Sequence, residues 1–203
     1  MSKDNILKTF LDELFLQREA LSTLFTNSTA SENSAYFFSE MASGTDPFND
    51  SYPGPPLWDT DWDDMKIMYH WQKWTRLNQV KIYSRDIYAA SLFLVLNNWI
   101  QSLGVQLGIN NQDERLNVGE NIRNAKLSKL IWATANNFRH YNEWSSPTNQ
   151  AQRSIVVLLD AGITPPMNII LAAKVLYVIG VNTYEELEKK IVVIGEELKD
   201  KAA

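Results

Sequence analysis

The sequence predicts an all-α fold, a single-domain bundle of about six or seven helices over residues 1–203. Apolar residues recur three and four positions apart in several long segments, which is typical of amphipathic helices. Hydrophobic residues make up 45% of the 203, enough to fill one core, whereas a second domain would be cramped. The runs VVLL, VLYVI and IVVI are also compatible with a small sheet, but their charged and capped flanks favour helices.

The first predicted helix covers residues 3–25, with Ser2 or Asp4 available as its N-terminal cap. Residues 27–57 then change character, because they are rich in Ser, Asn, Gly and Pro and include the helix-breaking run PGPP. This composition predicts a long loop or insertion after the first helix. Its aromatic residues indicate that parts of the insertion dock on the rest of the protein.

The acidic run DTDWDD is favourable at a helix N-terminus and predicts that helical structure resumes near residue 64. The stretch that follows fits one very long helix or two helices joined near Ser84, and we favour two. After the polar connector INNQDERLNVGEN, a helix is predicted over about residues 122–144. Three more follow at residues 148–160, 166–179 and 183–199, and Thr183 and Glu186 have the spacing of a capping box.

Composition narrows the classes of function. The chain has no cysteine, which excludes disulfides, cysteine-based zinc sites and thiol catalysis. The formal net charge of −5 provides no global attraction to nucleic acid or to anionic membranes, so any RNA contact needs a local basic patch. No apolar run approaches the roughly 20 residues that cross a bilayer, and the N-terminus lacks a signal-peptide pattern. These features predict a soluble cytoplasmic protein with no cofactor and no membrane contact.

The stretch ANNFRHYNEW, residues 135–144, contains the strongest candidate site. On a helix, residues three and four apart share a face, so His140 lies beside Asn136 and Glu143. A histidine with such partners has the parts of a general acid–base, since it titrates near neutrality and its neighbours fix its tautomer. Arg139 could bind a phosphate. The alternative is structural: polar groups among buried aromatic residues often only satisfy one another.

The segment ANNFRH resembles the RNxxxH motif of HEPN proteins, which are small helical proteins of bacterial defence and toxin–antitoxin systems. Asn136 and His140 match the motif, whereas Ala135 occupies the place of its arginine. The longer block also resembles one of the form ANxxKHxxEW in bacterial proteins, in which alanine is the ordinary first residue. The resemblance covers about residues 85–144, because the preceding helix also matches.

The resemblance implies a homodimer whose cleft cuts RNA without a metal ion, by attack of the ribose 2′-hydroxyl. The catalytic residues would then be His140, Asn136, Arg139 and Glu143, with Arg139 or Arg123 in place of the missing motif arginine. The alternative is a non-catalytic dimerisation or partner-binding subunit with a degenerate site, whose partner is a protein from the same locus. The absent arginine and the acidic net charge favour that alternative.

Two other segments were considered as sites. His70 lies among tryptophans and basic residues in MYHWQKWTRLNQ, a composition that can stack single-stranded bases, although tryptophans at this spacing are usually core residues. The carboxylates of DTDWDD lack the glycine and terminal glutamate of a calcium loop, and a helix N-terminus explains them more simply.

Overall fold

The computed structural model describes residues 2–29, 65–140, 149–163 and 171–202, without the side chains of residues 65–83, 149–151 and 171. Within these ranges the chain is almost entirely helical, with a single short two-stranded ribbon, so the all-α prediction is confirmed. The elements in chain order are α1 Lys3–Leu16, α2 Arg18–Thr29, α3 Met65–Gln106, α4 Gln112–Leu116, β1 Asn121–Ile122, β2 Ala125–Lys126, α5 Leu127–His140, α6 Asn149–Asp160, α7 Leu171–Ile179 and α8 Tyr184–Lys201.

The first predicted helix is two helices, which partly explains why the predicted number of six or seven was too low. Ser2 caps α1 by accepting a hydrogen bond from the backbone of Asn5, and the helix ends at Gln17. The break falls where polar Gln17 and Arg18 interrupt the apolar stripe, so no buried residue holds the helices in line. Because α2 continues through Thr29, residues 27–29 of the predicted insertion are helical, and residues 30–57 lie outside the description.

Helix α3 is one continuous helix of 42 residues, so the predicted break near Ser84 was wrong. The reason is visible in the sequence, since neither proline nor glycine occurs between Met65 and Leu103. A helix of this length extends for roughly 60 Å. It contacts α1, α2, α5, α7 and α8 and forms the spine of the described fold.

The polar connector before the motif helix contains structure that was not predicted. Asn111 caps the short helix α4 by accepting from the backbone of Asp113. Residues 121–126 then form the antiparallel ribbon, in which Ile122 pairs with Ala125. The ribbon delays the start of α5 to Leu127, whereas the prediction placed it near Ile122.

The three C-terminal helices were predicted, and α6 and α8 lie close to the expected bounds. Thr183 caps α8 by accepting from the backbone of Glu186, while the Glu186 carboxylate accepts from the backbone of Asn182. Helix α7 is described from Leu171, and residues 164–170 lie outside the description. The runs VVLL, VLYVI and IVVI are helical, so the competing sheet interpretation was wrong.

The described helices share one hydrophobic core. Helix α3 packs against α5, and Arg139 at the end of α5 donates a hydrogen bond to Asn98, two turns before the end of α3. Helix α6 folds back along α5, and the backbone of Asn124 donates to the carbonyl of Asp160. The largest fully buried side chains are Leu21, Leu92, Phe93, Leu96, Ile100, Leu103, Leu116, Leu127, Leu130, Ile131, Leu158 and Ile163. No helix in the described ranges is long and apolar enough to cross a membrane.

Candidate functional site

The candidate site lies in the last two turns of α5. Asn136 is three residues before Arg139 and four before His140, so the three side chains leave adjacent positions on the helix surface. Glu143, the fourth predicted site residue, lies outside the described residues, as does Trp144. The structure therefore describes three of the four predicted site residues.

Ala135, at the position of the motif arginine, is completely buried, with 0% of its surface exposed. It belongs to the side of α5 that packs into the bundle, together with Ile131 and Thr134. An arginine at this position would have to place its charge in the core, which is costly without a partner. The alanine is consistent with this packing.

Asn136 is also buried, with 5% of its surface exposed. Its amide nitrogen, Nδ2, has no hydrogen-bond partner in the part of the chain that the structure describes. A buried donor without a partner typically costs about 1–3 kcal/mol of stability. A hydrophobic residue would avoid that cost, so packing alone does not explain an asparagine here.

Arg139 is exposed, and its guanidinium is held by a residue that the sequence analysis did not select. Its Nη2 atom donates to Oδ1 of Asn98, on α3, at 2.9 Å. The signal that could have identified Asn98 is the pair Asn97–Asn98 inside the apolar run LFLVLNNWI. Two adjacent amides in such a run indicate a polar contact with a neighbouring element.

His140 is the last residue of α5 and is half-buried. Arg139 lies in the same last turn, where the negative end of the helix dipole stabilises the charge of its guanidinium. This effect accounts for part of the placement of Arg139 without any catalytic role. It does not account for the buried amide of Asn136.

Arg123 cannot replace the motif arginine, because it precedes α5 and His140 ends it. The 14 residues of that helix separate the two by roughly 20 Å. Arg123 sits in the turn of the ribbon with φ of 54°, and its guanidinium packs over Gly162. Arg139, by contrast, directly precedes His140 at the end of α5.

A second buried ionisable group, Asp86, was also missed in the sequence. Its Oδ1 atom accepts from the backbone nitrogens of Ala172 at 2.7 Å and Ala173 at 3.2 Å, at the start of α7. Burial raises the pKa of the Asp86 carboxyl to about 6, and the two backbone bonds partly oppose that rise. Asp86 thus caps α7 across the bundle, which is a structural role.

The structure does not describe the side chains of the other candidate sites that the sequence suggested. The side chains of His70 and its neighbouring tryptophans, and all of residues 59–64, lie outside the description. Among the residues that were described, no three His, Asp or Glu side chains are grouped so that they could hold a metal ion. The described site is therefore the polar end of α5 together with Asn98.

This site combines a solvent-facing cation with a half-buried imidazole, both on one helix end. Such a pair can bind an anionic group and exchange a proton with it. Comparisons of the chain with protein-family models, with curated proteins and with solved structures give no match.

Proposed function

We propose that this chain is a HEPN-like protein of a bacterial defence or toxin–antitoxin system and that it cuts RNA without a metal ion. The observation that carries the proposal is the hydrogen bond from Arg139 to Asn98, which fixes an exposed guanidinium on the residue that precedes His140. A fixed cation and an imidazole at one helix end can supply the phosphate contact and the proton acceptor that metal-free phosphodiester cleavage requires.

In the proposed reaction, the neutral imidazole of His140 accepts the proton of the ribose 2′-hydroxyl. The 2′-oxygen attacks the adjacent phosphorus, and the bond from phosphorus to the 5′-oxygen breaks. The leaving 5′-oxygen takes a proton from water, and the imidazolium of His140 then returns its proton to the resulting hydroxide. The products are a 2′,3′-cyclic phosphate and a 5′-hydroxyl. Arg139 binds the phosphate oxygens as negative charge develops on them, and Asn136 and Glu143 orient the imidazole.

The alternative is a non-catalytic dimerisation or partner-binding subunit. It is favoured by the burial of Ala135, because the position of the motif arginine belongs to the core of this chain. The net charge of −5 also suits a protein partner better than a long RNA. Both functions include a homodimer, which light scattering coupled to gel filtration would measure directly.

The test is incubation of the purified protein with total RNA in EDTA, followed by analysis of the RNA ends. We expect cleavage products with cyclic phosphate ends, and we expect His140→Ala to abolish them. The matched control is His70→Ala, which removes the only other histidine of the chain. Cleavage that survives His140→Ala would contradict the proposed mechanism.

Absence of cleavage by the wild-type protein would favour the binding subunit. The same preparation should then be examined for a stable dimer. A dimer without cleavage is the result that the alternative predicts.

A further inference from the structure

The guanidinium of Arg139 is held by a neutral group rather than by a carboxylate. Some cations of the described fold form ion pairs, as in Lys190 with Glu120 and Lys199 with Asp4, and Arg115 is another that binds a neutral amide oxygen, that of Gln101. Arg139 forms no ion pair with any described residue, and within those ranges its guanidinium donates one hydrogen bond, to Asn98. Within the part of the chain that the structure describes, the guanidinium is therefore oriented while no carboxylate neutralises its charge.

Most of its hydrogen-bonding capacity also remains available. A guanidinium has five N–H donors arranged in a planar fork, and the bond to Asn98 uses one of them. The remaining donors match the paired oxygens of a phosphate, which arginine binds in a bidentate manner. Because Arg139 is exposed, an anion can approach it from solvent.

The segments of α3 and α5 around this contact contain no acidic residue. The chain has 24 aspartates and glutamates, yet none occurs in residues 87–106 of α3 or in residues 127–140 of α5. No carboxylate in these two segments competes with an incoming anion for Arg139. In an acidic protein, this absence leaves a local site that favours negative charge.

We infer that Asn98 is a positioning residue, which holds Arg139 ready for a phosphate of single-stranded RNA. This inference rests on the proposed function and adds the residue that prepares its phosphate contact. A side chain fixed before binding loses less conformational entropy when the ligand arrives, so the anchor strengthens binding without touching the ligand. An amide is suited to this role, because a carboxylate would hold the guanidinium equally well but cancel its charge.

The experiment measures binding of a fluorescent 2′-O-methyl oligoribonucleotide, which cannot be cut because its 2′-hydroxyls are blocked. Fluorescence anisotropy gives the dissociation constant. We expect Arg139→Ala to weaken binding about tenfold, in the range of a lost charged hydrogen bond. Asn98→Ala should weaken it several-fold, because the guanidinium stays charged but is no longer fixed.

The decisive variant is Asn98→Asp, which retains the geometry of the contact and adds one negative charge. We expect it to weaken binding at least as much as Asn98→Ala, although it leaves the fold as stable as the wild type. The matched control is Gln106→Glu, which makes the same amide-to-carboxylate change at an exposed position of α3, about 12 Å further along the helix. The control should bind within twofold of the wild type.

The outcomes separate the inference from the proposed function. If Asn98→Asp binds the oligonucleotide as the wild type does, or if the wild type does not bind it, the positioning role is overturned. If binding follows the expected order but RNA is never cut, the positioning role stands and the nuclease proposal fails. If Asn98→Ala lowers thermal stability and leaves binding unchanged, the contact is purely structural and the inference is wrong.

Discussion

The carboxylate of Asp86, in the long helix α3, lies 2.7 Å from the backbone nitrogen of Ala172, in the first turn of α7. A side chain from one helix thus caps another that is 86 residues distant in sequence. The bond connects α7 to α3, which also packs against the motif helix α5. The N-terminal backbone N–H groups of α7 are thus satisfied by a carboxylate of α3, whose charge depends on pH.

This contact predicts how the stability of the protein depends on pH. Burial raises the pKa of Asp86 to about 6, above its ordinary value of 3.8, so the folded state binds this proton more tightly than the unfolded state does. The contribution of Asp86 to stability is therefore largest at low pH and is lost as the pH rises through about 6. Between pH 5 and pH 7.5 the loss amounts to roughly 1 kcal/mol.

Asp86→Asn should remove this part of the pH dependence, because the amide oxygen still accepts the backbone bonds and carries no charge. Urea unfolding of both proteins at pH 5, 6 and 7.5 measures the difference. We expect the free energy of unfolding of Asp86→Asn, relative to that of the wild type, to increase as the pH rises. An identical pH profile for the two proteins would show that Asp86 does not titrate in this range.

The close packing around Gly195 leaves little room for a larger side chain on the buried face of α8. A Cβ atom added there would lie 3.0 Å from Cδ1 of Leu7 and 3.1 Å from the Trp99 ring, so α1, α3 and α8 meet at this point. Gly195→Val should lower the free energy of unfolding by more than about 2 kcal/mol, because a β-branched side chain would overpack the contact.

Thermal or urea unfolding measures the effect of Gly195→Val. The control is Val193→Ala, on the same helix at a position that is 45% exposed, where the change should be under about 1 kcal/mol. A Gly195→Val protein as stable as the wild type would mean that α8 can move away from α1.

Helix type and approximate position could be predicted from periodicity, because most helices bury a single apolar stripe. The ends of helices were harder to predict where they depend on contacts with other parts of the fold. The split at Gln17 depends on which residues lack a core partner. The continuity of α3 through Ser84 was different, because the absence of proline and glycine from Met65 to Leu103 already indicated it in the sequence. The ribbon before α5 contains only two residues in each strand, too few for a periodic signal.

The candidate site likewise has one part that could be predicted from the sequence and one that could not. Asn136, Arg139 and His140 could be placed on one face from spacing alone, because helix geometry is local. Asn98 could not be assigned, since it is 41 residues from Arg139 and their contact arises only when α3 packs on α5. The burial of Ala135 is likewise a property of the assembled bundle.

Placing an arginine at Ala135, as in the HEPN motif that this segment resembles, should lower stability rather than create activity. Ala135→Arg forces a long charged side chain into a position with 0% exposure, which should cost more than about 3 kcal/mol. Asn137→Arg, two residues further along α5 at a half-buried position, is the control and should cost about 1 kcal/mol or less. Circular dichroism during thermal unfolding measures both variants.

A stable Ala135→Arg protein with increased RNA cleavage would contradict the expectation. It would show that this helix can turn the added arginine out of the core. The position would then match the HEPN motif in geometry as well as in spacing.

If the buried amide of Asn136 serves the site, replacing it should raise stability and slow RNA cleavage. Asn136→Leu replaces an unpartnered donor with an apolar group and should raise the free energy of unfolding by roughly 1 kcal/mol. Asn137→Leu, the neighbouring position, is the control because it gains the same helix propensity without removing a buried donor. If Asn136 orients His140, the stabilised Asn136→Leu protein should cut RNA more slowly than Asn137→Leu does. Urea unfolding and the cleavage assay, run on the same preparations, measure the two effects separately. Lower stability in Asn136→Leu would mean that the amide supports the fold, and unchanged cleavage would remove Asn136 from the proposed site.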